Sequence, residues 1–157
     1  MTINVRRVVT GHDETGKAIV NIDDVSPHVV VNRPNIRVIN LWSNSYPVSN
    51  TDIGDCAEQI KATVLPGGAL FRVIEFQPGV APRMHRTDTL DYIVVMSGSI
   101  TMEMDDALIE LHAGDVMVQR GTVHNWVNNG TESCVCAFVM MAAEPIIING
   151  KQVEAHG

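Results

Sequence analysis

The feature that most constrains the fold is a series of short segments after Ala69 in which apolar and polar residues alternate. Turn-forming sequences such as QPGV, SGS, HAGD, RGT and NNGTE separate these segments. A period of two is typical of half-buried strands, and strands at this spacing favour an antiparallel sandwich or barrel. We therefore predict an all-β fold with strands at ALFRVIEF, APRMHR, LDYIVVM, SITMEM, ALIELH, DVMVQ, VHNWVN and SCVCAFVMM.

Similar patterns predict further strands at both ends of the chain. RRVVTG and KAIVNI flank the turn-like HDETG and predict an N-terminal hairpin, and NIRVINLW predicts another strand. Near the C terminus, Asn149-Gly150 within PIIINGKQVEA is a strong hairpin signal. The segment 43–68 has little periodicity and predicts a long loop with one helical turn near DCAEQI, which we interpret as a lid or a dimer contact.

Length and charge limit the organisation and the partners. A chain of 157 residues fits one domain, for which we expect a core barrel at about 69–141 and an extension 1–68 packed on the barrel or on a dimer partner. The net charge of −7 argues against nucleic acid as a partner. Because neither a leader-like segment nor a run near 18 apolar residues is evident, we expect a cytoplasmic protein without membrane contact.

Alternation also predicts which side chains share a face. Arg83, His85 and Thr87 align on one face of PRMHRT, while Asp91 aligns with the apolar residues of its strand. Polar groups that converge in an apolar cavity are typical of ligand sites. If these faces meet inside a barrel, the candidate site consists of Arg83, His85, Thr87, Asp91, His124 and Trp126, with Met102 as part of an apolar wall.

Two stretches resemble the sequence motifs of the cupin family. The resemblance spans about residues 69 to 141, and MHRTDTLDY followed by VQRGTVHNWVN is also similar to a subgroup of small single-domain bacterial and fungal cupins. The resemblance implies a jelly-roll (double-stranded β-helix) barrel with a metal at its centre, and often a homodimer. In this chain we expect the barrel to carry an N-terminal hairpin and extra terminal strands. The matching positions are Gly79, His85, Thr87, Asp91 and Gly98 for the first motif, and Gly114, Gly121, His124 and Asn128 for the second.

The chain departs from the family pattern at three positions. Thr87 stands where a second histidine is expected, Asp91 replaces a glutamate, and Arg120 lies in the region of the usual proline. The ligands that the resemblance implies are His85, Asp91 and His124, a set that suits Fe(II), Mn, Ni or Zn and leaves coordination positions open. A metal-free alternative is an acid–base dyad of a histidine and a carboxylate.

These residues predict an enzyme that acts on a small organic substrate, with aromatic compounds and carboxylates as candidates. Metal-assisted lyase, isomerase or decarboxylase chemistry is the first hypothesis, and a metal-free His/Asp isomerase, an Fe(II) dioxygenase and a non-catalytic binding protein are the alternatives. An inward Arg83 would need Asp91 or a substrate carboxylate as its partner, whereas an outward Arg83 would be a rim residue in solvent. Trp126 either stacks on a flat substrate or closes one end of the barrel.

Overall fold

The protein consists of short antiparallel strands and one turn of 3-10 helix, as seen in a computed structural model that describes residues 3–51 and 54–157. The predicted all-β class is therefore confirmed. The elements are β1 (Arg6–His12), β2 (Ala18–Val25), β3 (Val29–Arg33), β4 (Ile36–Ser45), a 3-10 helix (Cys56–Gln59), β5 (Gly68–Phe76), β6 (Thr89–Ser97), β7 (Ser99–Glu103), β8 (Leu108–His112), β9 (Val116–Arg120), β10 (Asn125–Val127), β11 (Cys134–Ala142), β12 (Ile146–Ile148) and β13 (Lys151–Val153).

Two sheets enclose the core. The larger one has six strands in the order β3-β4-β5-β11-β6-β9, and the smaller has three in the order β10-β7-β8. One apolar cluster joins them, with Leu70, Ile93 and Phe138 from the larger sheet and Ile100 and Trp126 from the smaller. β4 pairs with β5 and β3 pairs with β4, so two strands of the segment 1–68 extend the larger sheet.

Strand β6 shows how the alternating sequence produces two faces. Asp91, Ile93 and Val95 are buried on the inner face, while Tyr92 and Val94 are exposed on the outer face. Successive side chains of a strand point to opposite sides, so this pattern follows from the backbone alone. The predicted grouping of Asp91 with Ile93 and Val95 is thus found in the structure.

Both terminal hairpins form as predicted. β1 pairs with β2, and β12 pairs with β13. The second hairpin turns at Asn149 and Gly150, which have φ angles of 51° and 76°. A tight two-residue turn of this kind needs positive φ at both central positions, and Asn-Gly is the pair that tolerates it best.

The prediction of a strand at APRMHR is wrong. Residues 81–84 form no strand, and only isolated bridges are present, from His85 to His124 and from Arg86 to His156. Pro82 has no N–H to donate to a ladder, which explains why regular pairing fails in this segment. The site residues near its end are therefore held by single bridges.

The segment between β4 and β5 contains the predicted helical turn, at Cys56–Gln59. Asp55 caps this turn by accepting a hydrogen bond from the Ala57 backbone N–H at 3.0 Å. Asp55 also accepts from Arg7 and lies 2.7 Å from Nε2 of His28, so it ties the segment to the N-terminal strands. Residues 52 and 53 of the predicted lid or dimer contact lie outside the described residues.

Across the described parts of the chain, no helix has the length and apolar character that a membrane crossing requires.

Candidate functional site

A cavity of about 200 Å³ lies inside the barrel and collects most of the predicted site residues. The apolar part of its lining includes Phe76, Trp126, Phe138 and Met140. Its polar lining contains Asn40, Arg72, Arg83, His85, Thr87, Asp91, Gln119 and His124.

His85 and His124 form the centre of the polar lining. Their ring centroids are 4.2 Å apart, and each backbone N–H donates to the carbonyl of the other at 2.9 Å. Nδ1 of His85 lies 2.9 Å from the Arg83 carbonyl, and Nδ1 of His124 lies 2.9 Å from the Thr122 carbonyl. A carbonyl only accepts, so Nδ1 carries the proton in both rings and Nε2 keeps a free lone pair.

Gln119 on β9 makes a second contact to His124. Its carboxamide lies 2.5 Å from Nδ1 of the ring. The atom placed there is Nε2, while Oε1 is buried without a partner. A half-turn of the carboxamide exchanges the two, so that Oε1 accepts from the protonated Nδ1. Gln119 and the Thr122 carbonyl together hold the ring in one orientation.

Both imidazoles are kept neutral by their surroundings. Burial lowers the pKa of His124 to about 4, with smaller effects of the hydrogen bond to Thr122 and of the nearby His85 and Arg83. Burial also lowers the pKa of His85, and the charges of Arg83 and Arg33 add to this direction. At neutral pH the two rings are therefore uncharged, and Nε2 of each can accept a hydrogen bond from a ligand.

Asp91 is the acidic group in the lining. It lies on β6 opposite Gln119 of β9 and is only 4% exposed. Its Oδ1 is buried without a hydrogen-bond partner, and burial raises the pKa of this carboxyl to about 6, against smaller lowering effects of Thr89 and Arg72. A carboxyl that titrates near neutral pH can take up and release protons there.

Arg72 and Gln119 are cavity residues that our sequence analysis did not identify. Arg72 lies on β5 and is 6% exposed, with its Nη2 donating to the Ala62 carbonyl at 3.1 Å. The signal was available in ALFRVIEF, because the alternation places Arg72 on the same face as Leu70, Ile74 and Phe76. An arginine on an otherwise apolar strand face needs a partner or a ligand.

The remaining predicted residues differ in their positions. Arg83 lies at the rim and donates to the carbonyl of Gly157, so the C-terminal segment covers this edge of the site. Thr87 lines the cavity and its hydroxyl pairs with that of Thr89 at 2.8 Å. Trp126 lines the cavity and packs against Phe76 with centroids 5.7 Å apart. Met102 is buried in the core and is not among the residues that line the cavity.

The implied metal ligands share the cavity but are not grouped as a metal site. Within residues 3–51 and 54–157, no three His, Cys, Asp or Glu side chains are placed to hold an ion together. Two imidazoles oriented by carbonyls suit a transition metal, yet the Asp91 carboxyl does not join them. The assignment of His85, Asp91 and His124 as a ligand set therefore stays a prediction.

Comparison with known proteins identifies the family. The family model described as Cupin domain matches residues 72–140. The cupin-domain-containing oxidoreductase fogC of Aspergillus ruber is 32% identical over 161 residues, which cover 97% of this chain and 79% of fogC. Phomopsin biosynthesis cluster protein D of Diaporthe leptostromiformis is 34% identical over 155 residues, which cover 92% of this chain and 82% of that protein.

A solved structure supports the same assignment at the level of the fold. The cupin domain of Schizosaccharomyces pombe Cnp3 superposes with a TM-score of 0.54 at 11% identity and covers 87% of each chain. The two sequence motifs, the two-sheet barrel and these relatives agree, and the predicted resemblance is confirmed. The chain belongs to the cupin family.

Proposed function

We propose that this protein is an enzyme that moves a proton on a small organic substrate bound in the barrel cavity. The observation that carries the proposal is a buried carboxyl with a raised pKa in the same cavity as two neutral imidazoles. Groups whose environments push their pKa values apart in this way are typical of acid–base sites. Isomerase or lyase chemistry follows most directly from such a site.

The roles within the site follow from the pKa values. Asp91 titrates close to neutral pH, so its carboxylate is a better base than the histidines there, and its protonated form is the better proton donor. His124 is too weak a base at a pKa of about 4 to hold a proton at pH 7. We assign to Nε2 of His85 and His124 the role of accepting hydrogen bonds from a substrate O–H or N–H, which fixes the substrate beside Asp91.

The apolar wall supports this role by excluding water. Phe76, Trp126 and Phe138 contact one another, with centroid distances of 5.7, 6.0 and 6.3 Å. Fewer waters around Asp91 keep its pKa high and strengthen its interaction with a bound substrate. A single aromatic ring is a suitable occupant of such a wall.

The proposal can be tested by exchange of carbon-bound hydrogen in D₂O. Enolisable ketones and 2-oxo acids such as phenylpyruvate are incubated with the protein, and deuterium incorporation is followed by NMR. We expect the wild type to accelerate exchange and Asp91→Asn to lose this acceleration. If the probes bind but neither protein accelerates exchange, the proton-transfer proposal is abandoned in favour of a non-catalytic binding protein.

A redox enzyme is the second candidate, and the names of relatives such as fogC favour it. A divalent transition metal at His85 and His124 would supply Lewis-acid or redox chemistry when bound. Elemental analysis of protein purified without a chelator or a histidine tag tests this, with His85→Ala and His124→Ala as controls. A near-stoichiometric metal lost in both variants would favour the redox candidate, and no uptake after addition of Fe, Mn, Ni or Zn would remove it.

We further propose that two copies associate through the outer face of the larger sheet. Tyr92 and Val118 are opposite each other there and are 50% and 61% exposed, beside the exposed Val94 and Val116. Apolar sheet faces of this kind are typical of protein interfaces, and a symmetric pair of copies covers both faces at once. Sedimentation tests this: we expect the wild type to be dimeric and Val118→Lys to be monomeric. A monomeric wild type would disprove the proposal.

A further inference from the structure

The charges around the barrel cavity oppose the charge of the whole chain. The chain carries a net charge of −7, yet the cavity is lined by Arg33, Lys61, Arg72 and Arg83. Among the described residues that line it, Asp91 is the only acidic one. Asp91 is itself partly neutral near pH 6 to 7 because its pKa is raised. The field inside the cavity therefore favours an anion.

Arg72 is the buried member of this group and has room for a ligand. It is 6% exposed, its Nε is buried without a partner, and the one hydrogen bond of its side chain goes to the Ala62 carbonyl. Asp91 is the one carboxylate whose charge raises the pKa of Arg72 against the effect of burial, but neither it nor another carboxylate of the described residues lies within ion-pair distance of Arg72. Burial lowers the pKa of Arg72 to about 10, so the guanidinium is still charged at neutral pH.

The neighbours of Arg72 place it in the part of the cavity wall that the larger sheet forms. In the strand register it lies between Asn40 of β4 and Phe138 of β11, and both of these also line the cavity. Oδ1 of Asn40 is buried without a partner as well. A buried cation without an anionic partner is costly, and a bound carboxylate would remove that cost through charge-assisted hydrogen bonds.

We propose that the substrate is a small aromatic carboxylate whose carboxylate group binds to Arg72, with the ring against Trp126 and Phe138. This inference rests on the proposed function, since it names the substrate class of the same site. It also replaces Arg83, our sequence-based candidate for the carboxylate, because Arg83 lies at the rim and is occupied by the carbonyl of Gly157. Arg72 thus becomes the residue that sets charge specificity.

The experiment compares ligands of the same shape and different charge. Binding of benzoate and benzamide, and of phenylacetate and phenylacetamide, is measured by calorimetry on the wild type, Arg72→Gln, Arg72→Lys and the rim control Arg83→Ala. Circular dichroism shows whether each variant is folded. The comparison within the wild type does not depend on any variant.

We expect the wild type to bind each carboxylate at least about tenfold more tightly than its amide, as a charge-assisted hydrogen bond implies. Arg72→Gln should lose this preference, Arg72→Lys should retain part of it, and Arg83→Ala should keep most of it. If Arg72 served only to hold Ala62, Arg72→Gln would lower stability without changing the ratio between the affinities for carboxylate and amide.

Equal binding of carboxylate and amide by the wild type, no binding of either, or an unchanged ratio in Arg72→Gln would overturn the inference. These outcomes are separable from failure of the proposed function. If carboxylate binding depends on Arg72 but no exchange depends on Asp91, only the proton-transfer proposal is rejected. If exchange occurs on neutral ketones but carboxylate and amide bind equally, only the assignment of a carboxylate substrate is rejected.

Discussion

His85 and His124 are joined by two reciprocal backbone hydrogen bonds of 2.9 Å, which hold their rings 4.2 Å apart at the centre of the cavity. They are 39 positions apart in the sequence, and the bridge between them is isolated from the regular strands. Each ring also has its Nδ1 at a carbonyl two residues earlier. The backbone thus sets both the distance between the rings and the tautomer that each adopts.

The neutral state of His124 makes stability depend on pH. Its folded pKa of about 4 lies below the ordinary value of 6.5, so the unfolded chain binds more protons between these values. The contribution of His124 to the free energy of unfolding should therefore be greatest above pH 6.5 and fall as the pH drops to 4. Urea unfolding from pH 4 to 8 should show a shallower decline for His124→Gln than for the wild type. An unchanged decline would contradict the prediction, and His112→Gln, at an exposed histidine, is the matched control.

Asp91 should have the opposite dependence. Its folded pKa of about 6 exceeds the ordinary 3.8, so the native state holds the proton more tightly. Its contribution to stability is complete below pH 3.8 and is lost as the pH rises through 6. As the pH rises from 4 to 8, the free energy of unfolding of Asp91→Asn should therefore increase relative to that of the wild type, by on the order of 2 kcal/mol. Thermal unfolding checks this against Asp106→Asn, and a constant difference across the range would refute it.

The ion pair of Arg7 and Asp55 should be important for stability. The Arg7 side chain is 5% exposed and donates hydrogen bonds to both Asp24 and Asp55, and its guanidinium holds the pKa of Asp55 well below its usual range. Asp55→Asn removes one charged partner of the buried Arg7 guanidinium, and we expect the free energy of unfolding to fall by about 3 kcal/mol. Since the folded pKa is depressed, the contribution is present above pH 3.8 and is lost in more acid solution.

The control for this variant is the exposed pair of Arg6 and Asp23, whose side chains are 68% and 46% exposed. Asp23→Asn should change urea unfolding little, because solvent screens exposed ion pairs. Similar losses in the two variants would show that burial of Arg7 does not decide the effect.

Gly98 should be much less tolerant of substitution than Gly114, although both have positive φ, at 73° and 94°. A Cβ at Gly98 would lie 2.5 Å from the Ser133 carbonyl oxygen, whereas one at Gly114 would meet nothing within 4 Å. The left-handed backbone destabilises each alanine variant by about 1 kcal/mol, and the clash destabilises Gly98→Ala further. Urea unfolding midpoints measure the difference, and equal losses would disprove the role of Ser133.

The strands and the cupin identity could be predicted because both depend on local order in the sequence. The alternation in β6 places Asp91 inward and Tyr92 outward, and the motif spacing marks His85 and His124. The strand predicted at APRMHR failed because Pro82 breaks the hydrogen-bonding pattern. The roles of the site residues and the metal stay predictions.

The sequence by itself determined the period of two, the turns at residues such as Gly98 and Gly150, and therefore which side chains face inward. It did not determine which inward residues meet, because that depends on strand order and register between segments far apart in the chain. Only the tertiary structure brought Arg72 of β5 into the cavity with His124 and placed Arg83 at the rim under Gly157. Burial then lowers the pKa of His124 and raises that of Asp91, since desolvation is a property of the packed barrel and not of any local stretch of sequence.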